Sequence, residues 1–215
     1  VGSHHWRIFL KIISSFTFEG SRVFLSPAIV DALKERVHDA AMIKPINEGN
    51  LSLPTDPFVG LRQWIEDAKA ADAPEPTAMT LATASKDGMP TARIVLFKGS
   101  STGPMGRESV EFYTNYMSRK SRELAENPRA SLVFHWNVLR RQLRIEGAVE
   151  KVSADESNQY FQTRPRDSKI GAWSSPQSEC LQDRAELIGR IEATKKRFGE
   201  SVIPCPPFWG GWRLT

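Results

Sequence analysis

Two apolar runs, Ala130-Ser131-Leu132-Val133-Phe134-His135-Trp136 and Arg141-Gln142-Leu143-Arg144-Ile145-Glu146-Gly147-Ala148-Val149, are separated only by Asn137-Val138-Leu139-Arg140. The second run alternates polar and apolar residues, as a half-buried antiparallel strand does. Four connecting residues leave no room for the crossover helix that parallel strands need. Working outward, the same period of two recurs. Ala78-Met79-Thr80-Leu81-Ala82-Thr83-Ala84 reads as a strand, and Asp87-Gly88 as a hairpin turn. Thr91 to Lys98 reads as the next strand, followed by a Gly/Ser-rich loop and a third strand, Val110-Glu111-Phe112-Tyr113-Thr114. Strands in close succession point to an antiparallel barrel or sandwich, mainly β with flanking helices, and away from a doubly wound sheet.

Helices punctuate the run. Asp56-Pro57 supplies an N-cap and a first-turn proline, with Phe58, Leu61, Trp64, Ile65 and Ala68 as the buried stripe. Ser118 opens a short helix that Asn127-Pro128 ends, and Ser153-Ala154-Asp155-Glu156 is a capping box before Tyr160 and Phe161. A charged helix is expected over 181–198, and Phe208 to Thr215 reads as strand. Residues 1–45 read as a weakly helical leader, with a helix after Ser26-Pro27 and a weak targeting signal over Ile8 to Ile13. Residues 46–55 read as a linker and 56–215 as the organised domain.

Composition narrows the chemistry. Two cysteines in 215 residues make neither a disulfide framework nor a four-thiolate zinc site, and point to a reducing, cytoplasmic setting. The formal charge of +4 allows an anionic ligand. No nucleophile elbow, zinc helix, Walker loop or dinucleotide fingerprint is present. His135 alone among the histidines lies in the organised part, where a satisfied structural histidine is expected and no metal site.

Cations beside hydroxyls and aromatic rings remain. Ser118-Arg119-Lys120 sets two cations and a hydroxyl at a helix start, a natural phosphate site or a solvated helix face. Arg164-Pro165-Arg166-Asp167-Ser168, just after Tyr160, offers a guanidinium and a hydroxyl to one anion, or forms a loop held by ion pairs. Gln177-Ser178 offers neutral hydrogen-bonding groups suited to a heterocycle, or a polar turn. Alternation along the strand places Arg93 and Lys98 on opposite faces.

The chain resembles the pyridoxine (pyridoxamine) 5′-phosphate oxidases over about residues 56–214. The segments that carry the resemblance run in order: Arg93 to Lys98, Phe112 to Lys120, Asn127 to Leu132, Arg141 to Gly147, Tyr160 to Ser168, and Trp209-Gly210-Gly211. The resemblance implies an FMN-binding split β-barrel of antiparallel Greek-key type, working as a homodimer with flavin at the subunit interface. It implies flavin contacts from Arg93, Ile94, Val95, Leu96, Tyr113, Thr114, Gln142, Gln177 and Ser178, with Arg119 and Lys120 on the FMN phosphate. It assigns Lys98, Tyr160, Arg164 and Ser168 to pyridoxine or pyridoxamine 5′-phosphate. The implied reaction passes a hydride from C4′ to flavin N5, with O2 reoxidising the flavin to give pyridoxal 5′-phosphate and hydrogen peroxide. The family's closing segment, resembling E-F-W-Q-G…R-L-H-D-R, does not follow Thr215, so a C-terminally incomplete domain is expected. A non-catalytic split barrel binding flavin or a phosphorylated ligand is the alternative, and a basic β-barrel binding single-stranded nucleic acid a further one. No membrane partner is expected.

Overall fold

The computed structural model describes residues 7–12, 54–102 and 108–215. Its strands are β1 (Arg7–Ile12), β2 (Ala78–Ala84), β3 (Pro90–Leu96), β4 (Gly99–Thr102), β5 (Glu108–Asn115), β6 (Arg129–Trp136), β7 (Arg141–Lys151) and β8 (Trp209–Leu214). Its helices are α1 (Pro57–Ala70), α2 (Arg119–Glu126), α3 (Ala154–Thr163), α4 (Arg166–Ser174) and α5 (Arg184–Phe198). The strands form a curled antiparallel sheet in the order β3-β2-β6-β7-β8-β5-β4, a split β-barrel, with β1 added against β7.

Local chemistry accounts for the elements. Asp56 accepts a hydrogen bond from the Phe58 N–H at 2.8 Å, so α1 starts where its N-cap and proline dictate. The five apolar residues expected on its inner stripe are buried, and Gly60 joins them. Arg141 at the start of β7 bonds Asp67 and lies over the Trp64 ring at 5.0 Å, which fastens α1 to the sheet. The β2–β3 hairpin turns at Gly88, whose φ of 89° favours glycine. The short 3-10 turn Asn137–Leu139 closes the β6–β7 hairpin in the expected antiparallel register.

Strand alternation produces two cores. Val110 and Phe112 of β5 face the main one, with Leu81, Leu132, Phe134, Leu143 and Ile145. Tyr113 faces the other, formed by Phe161, Ile170, Ile203 and Trp209 under α3 and α4. β8 is buried along its whole length and closes both. Its two glycines are demanded by contact. A Cβ at Gly211 would sit 2.8 Å from the Tyr113 ring and 2.7 Å from Val152, and one at Gly210 would overlap the Tyr116 hydroxyl.

Several expectations need correction. Gly99–Thr102, read as part of a loop, pairs with β5, because Gly and Ser tolerate a short edge strand. The third strand is longer than expected, from Glu108 to Asn115. Arg166-Asp167-Ser168 is the first turn of α4 instead of a loop. The last helix begins at Arg184, where Asp183 caps it, instead of at Leu181. His135 is exposed on the outer face of β6, between buried Phe134 and Trp136, so it is not a core histidine. Arg7–Ile12, expected within a weakly helical leader, is a strand running antiparallel to Arg141–Glu146; its β-branched and aromatic run suits a sheet edge. The helix expected after Ser26-Pro27 lies outside the described residues. So does most of the linker reading. No helix among the described residues is long and apolar enough to cross a membrane.

Candidate functional site

At the end of the main core, β5, α2 and the loop after α4 bring three neutral oxygens to one ammonium. Lys120 Nζ donates to Thr114 Oγ1 at 3.0 Å, Ser118 Oγ at 3.2 Å and Gln177 Oε1 at 2.8 Å. Lys120 is buried, and no carboxylate pairs with it among the described residues. Burial, followed by the charge of Arg93, pulls its pKa down to about 8. A buried cation with only neutral acceptors is costly unless an anion completes it. Ser118, although at the N-cap of α2, makes no side-chain cap bond; its hydroxyl turns toward Lys120 and Ser121 instead. The first turn of α2 therefore keeps N–H groups for another acceptor.

Beside Lys120 lies a carboxylate that the sequence reading did not single out. Glu123 Oε2 accepts from Thr83 at 2.5 Å and Thr91 at 2.6 Å, while Oε1 accepts from Arg119 Nε at 2.9 Å. Arg93 Nη2 also reaches Oε2, at 3.3 Å. Burial alone would raise this carboxyl, but the hydrogen bonds from Thr83, Thr91 and Arg119 and the charge of Arg93 outweigh it, holding the pKa at about 2. The available signal was the spacing Arg119 to Glu123, four apart on one helix face.

Across β5 a second cluster forms. Tyr113, one residue before Thr114, points to the opposite face. Its ring stacks on Tyr160 with centroids 4.0 Å apart, and on Trp209 at 5.5 Å. Arg164 lies over Trp209 at 4.7 Å, and its Nη1 is buried without a hydrogen-bond partner. Burial lowers the Arg164 pKa, and it raises that of Tyr113 far above the usual phenol range, so the ring stays protonated. Ser168 stands in the first turn of α4, whose N-cap, Pro165, supplies no side-chain bond. An unpaired buried guanidinium atom beside an uncapped helix start is chemistry suited to an anion. Arg213 braces the cluster from β8: it is buried and pairs with Glu156 at 2.7 Å and Glu111 at 3.3 Å.

The expected residues therefore separate into groups. Thr114, Lys120 and Gln177 meet in one hydrogen-bonded cluster, with Arg93 and Arg119 joined to it through Glu123 and α2. Tyr113, Tyr160 and Arg164 meet in the other. Alternation along β3 turns Arg93 and Val95 inward and leaves Ile94 and Leu96 exposed. Lys98 is exposed beyond the strand end, where its backbone N–H reaches the Glu111 carbonyl. Ser178 is exposed in the left-handed region, with φ of 70°. Gln142 is not brought to either cluster. It pairs with His135 near the start of β7, whereas the row of Arg93, Leu81 and Leu132 meets that strand at Ile145.

Comparison with known proteins identifies the family. A family profile described as pyridoxamine 5′-phosphate oxidase matches residues 65–198. A pyridoxine/pyridoxamine 5′-phosphate oxidase from Pseudomonas paraeruginosa is 45% identical over 192 residues, covering 88% of this chain and 84% of the relative. One from Bordetella petrii is 52% identical over 164 residues, covering 76% of this chain and 75% of the relative. Among solved structures, PhzG from Burkholderia lata, in complex with tetrahydrophenazine-1-carboxylic acid, superimposes with a TM-score of 0.69 at 30% identity, covering 76% of this chain and 77% of its own. A pyridoxamine 5′-phosphate oxidase-related, FMN-binding protein from Nostoc punctiforme shares the fold, with a TM-score of 0.59 at 16% identity, covering 76% of this chain and 82% of its own. The chain belongs to the pyridoxamine 5′-phosphate oxidase family.

Proposed function

We propose that the chain is an FMN-dependent oxidase that converts pyridoxine or pyridoxamine 5′-phosphate to pyridoxal 5′-phosphate. The observation that carries this reading is the pair of anion-ready cations on opposite faces of β5: Lys120 with neutral partners only, and Arg164 with a buried, unpaired Nη1. One reaction that needs two phosphorylated molecules accounts for two such cations. The residues fit the cofactor. Lys120, Arg119 and the uncapped start of α2 would take the FMN phosphate, with Thr114, Gln177 and Ser178 along the rest of the molecule. Arg164, Ser168, Tyr160 and Lys98 would take the phosphorylated pyridine.

FMN, when bound, would supply the redox chemistry, as hydride acceptor toward the substrate and electron donor toward O2. The protein's part is placement and neutralisation of charge. Trp209 packs against the Arg164 guanidinium, and Arg213 anchors α3, so the substrate phosphate would meet a preformed site. Tyr113, stacked on Tyr160, presents a neutral aromatic ring to that site. The exposed Ile94 and Leu96 are apolar surface suited to a second copy of the chain, consistent with a flavin held between two subunits. The organised domain, 56–215, is the unit proposed to do this, in the cytoplasm.

Aerobic incubation with FMN and either substrate tests the reading. Pyridoxal 5′-phosphate and hydrogen peroxide are expected in equal amounts, with water consumed and one ammonia released when the substrate is the amine. Retention of FMN with no product would instead favour a non-catalytic flavin-binding barrel.

A further inference from the structure

We infer that Arg213 is a positioning residue for the phosphorylated substrate: with a single nitrogen it ties β5 to α3 and so sets the separation at which Tyr113, Tyr160 and Arg164 come together. The inference rests on the reading of Arg164 and its neighbours as the substrate site. Arg213 Nη2 reaches Glu156 Oε1 at 2.7 Å and Glu111 Oε1 at 3.3 Å, so one cationic nitrogen bridges a carboxylate on α3 and one on β5. The Arg213 side chain is only 4% exposed, and water and salt screen buried charges far less than surface ones. Its Nε is buried with no hydrogen-bond partner among the described residues. The guanidinium therefore does not act here as a two-pronged fork; the arrangement uses one charged nitrogen at the bridging point.

Each arm of the bridge ends beside the aromatic cluster. Glu111 stands two residues before Tyr113, on the same face of β5, and its Oε2 accepts from the Tyr113 hydroxyl at 3.5 Å. Glu156 lies in the first turn of α3, Tyr160 follows four residues later, and Arg164, four further on, is the C-cap. Residues at that spacing share one side of a helix, so the bridge holds the side of α3 that carries the substrate residues. The Tyr113 and Tyr160 rings stack at 4.0 Å across the gap between strand and helix. Ser157 accepts from the Gly211 N–H at 3.2 Å, which fastens α3 to β8 but makes no link to β5. Arg213, itself on β8, joins all three elements.

Glu156→Gln breaks the bridge most cleanly. A capping box accepts Gln in place of Glu, so the Ser153 cap is kept while the charge facing Arg213 is lost. KM for pyridoxamine 5′-phosphate is expected to rise about tenfold, as loss of one charge-assisted contact implies, with kcat, FMN affinity and turnover of unphosphorylated pyridoxamine changed by less than about twofold. Arg213→Lys, which keeps one cationic nitrogen, is expected to hold KM within about threefold of the unaltered chain, whereas Arg213→Met should raise it at least as far as Glu156→Gln. A loss shared equally by both amines and by FMN would assign Arg213 to folding alone and overturn the inference. So would an unchanged KM in both Glu156→Gln and Arg213→Met. If the unaltered chain does not distinguish pyridoxamine 5′-phosphate from pyridoxamine, the reading of the Arg164 site itself fails, a result independent of the variants.

Discussion

Lys120→Met is expected to weaken FMN binding about 100-fold while raising the thermal stability of the ligand-free chain, since hydrogen bonds to a charged group are worth about 1.5–3 kcal/mol each and an uncompensated buried charge opposes folding. Methionine fills the same volume without the ammonium, so the site loses its one buried cation that lacks a carboxylate. The opposite signs matter. A lysine present for stability would leave a weaker fold on removal, whereas one held ready for an anion leaves a stronger fold and a weaker ligand.

The same residue sets a pH dependence. Its pKa of about 8 means that the ammonium, the form that binds phosphate, is lost as pH rises through that value. FMN affinity is expected to fall above about pH 8, by up to tenfold per pH unit, and this limb should vanish in Lys120→Met. In the ligand-free chain the sign is opposite. Between the folded value of about 8 and the ordinary value of 10.5, the unfolded chain holds a proton that the folded chain has released. Stability contributed by this group therefore rises with pH across that window. FMN titrations and thermal melts across the range check both halves.

Arg164→Met is expected to raise KM for pyridoxamine 5′-phosphate about 100-fold with a smaller change in kcat, as loss of a buried guanidinium–phosphate pair implies. Turnover of unphosphorylated pyridoxamine should be almost unaffected, because the role proposed for the residue is to hold the phosphate and not the ring. Stability should hold or rise, since the substitution removes a buried donor with no partner. Arg164→Lys is not expected to rescue, because an ammonium cannot offer a two-pronged fork. Steady-state kinetics with both amines decides it. A fall in kcat shared by both substrates would place Arg164 in the chemistry instead.

Much of the barrel was legible because a period of two is a local property. The β6–β7 hairpin, the Asp56 cap and the Ser153 capping box rest on neighbouring residues, and all three appear where expected. Gly99–Thr102 was not legible, since an edge strand of four residues exists only through its partner β5. The start of α4 was hidden by Pro165, which looks like a loop residue but here stands at the N-cap. At the site, the cations could be listed from motifs, yet their partners could not be foreseen. Arg93 and Arg119 are chemically alike in sequence. Both reach Glu123, which also accepts from Thr83 and Thr91, a set of contacts carried by three elements far apart in the chain. Likewise, nothing near Trp209 in sequence announces that it backs Arg164.

The central claim is that two phosphorylated ligands meet here and that one reduces the other. Anaerobic addition of pyridoxamine 5′-phosphate to the FMN-loaded chain tests it most directly, with the visible flavin absorbance as the readout. The account predicts bleaching with one pyridoxal 5′-phosphate formed per flavin, and recovery of the absorbance on admitting O2. Bound FMN whose absorbance stays unchanged in saturating pyridoxine and pyridoxamine 5′-phosphates would contradict it.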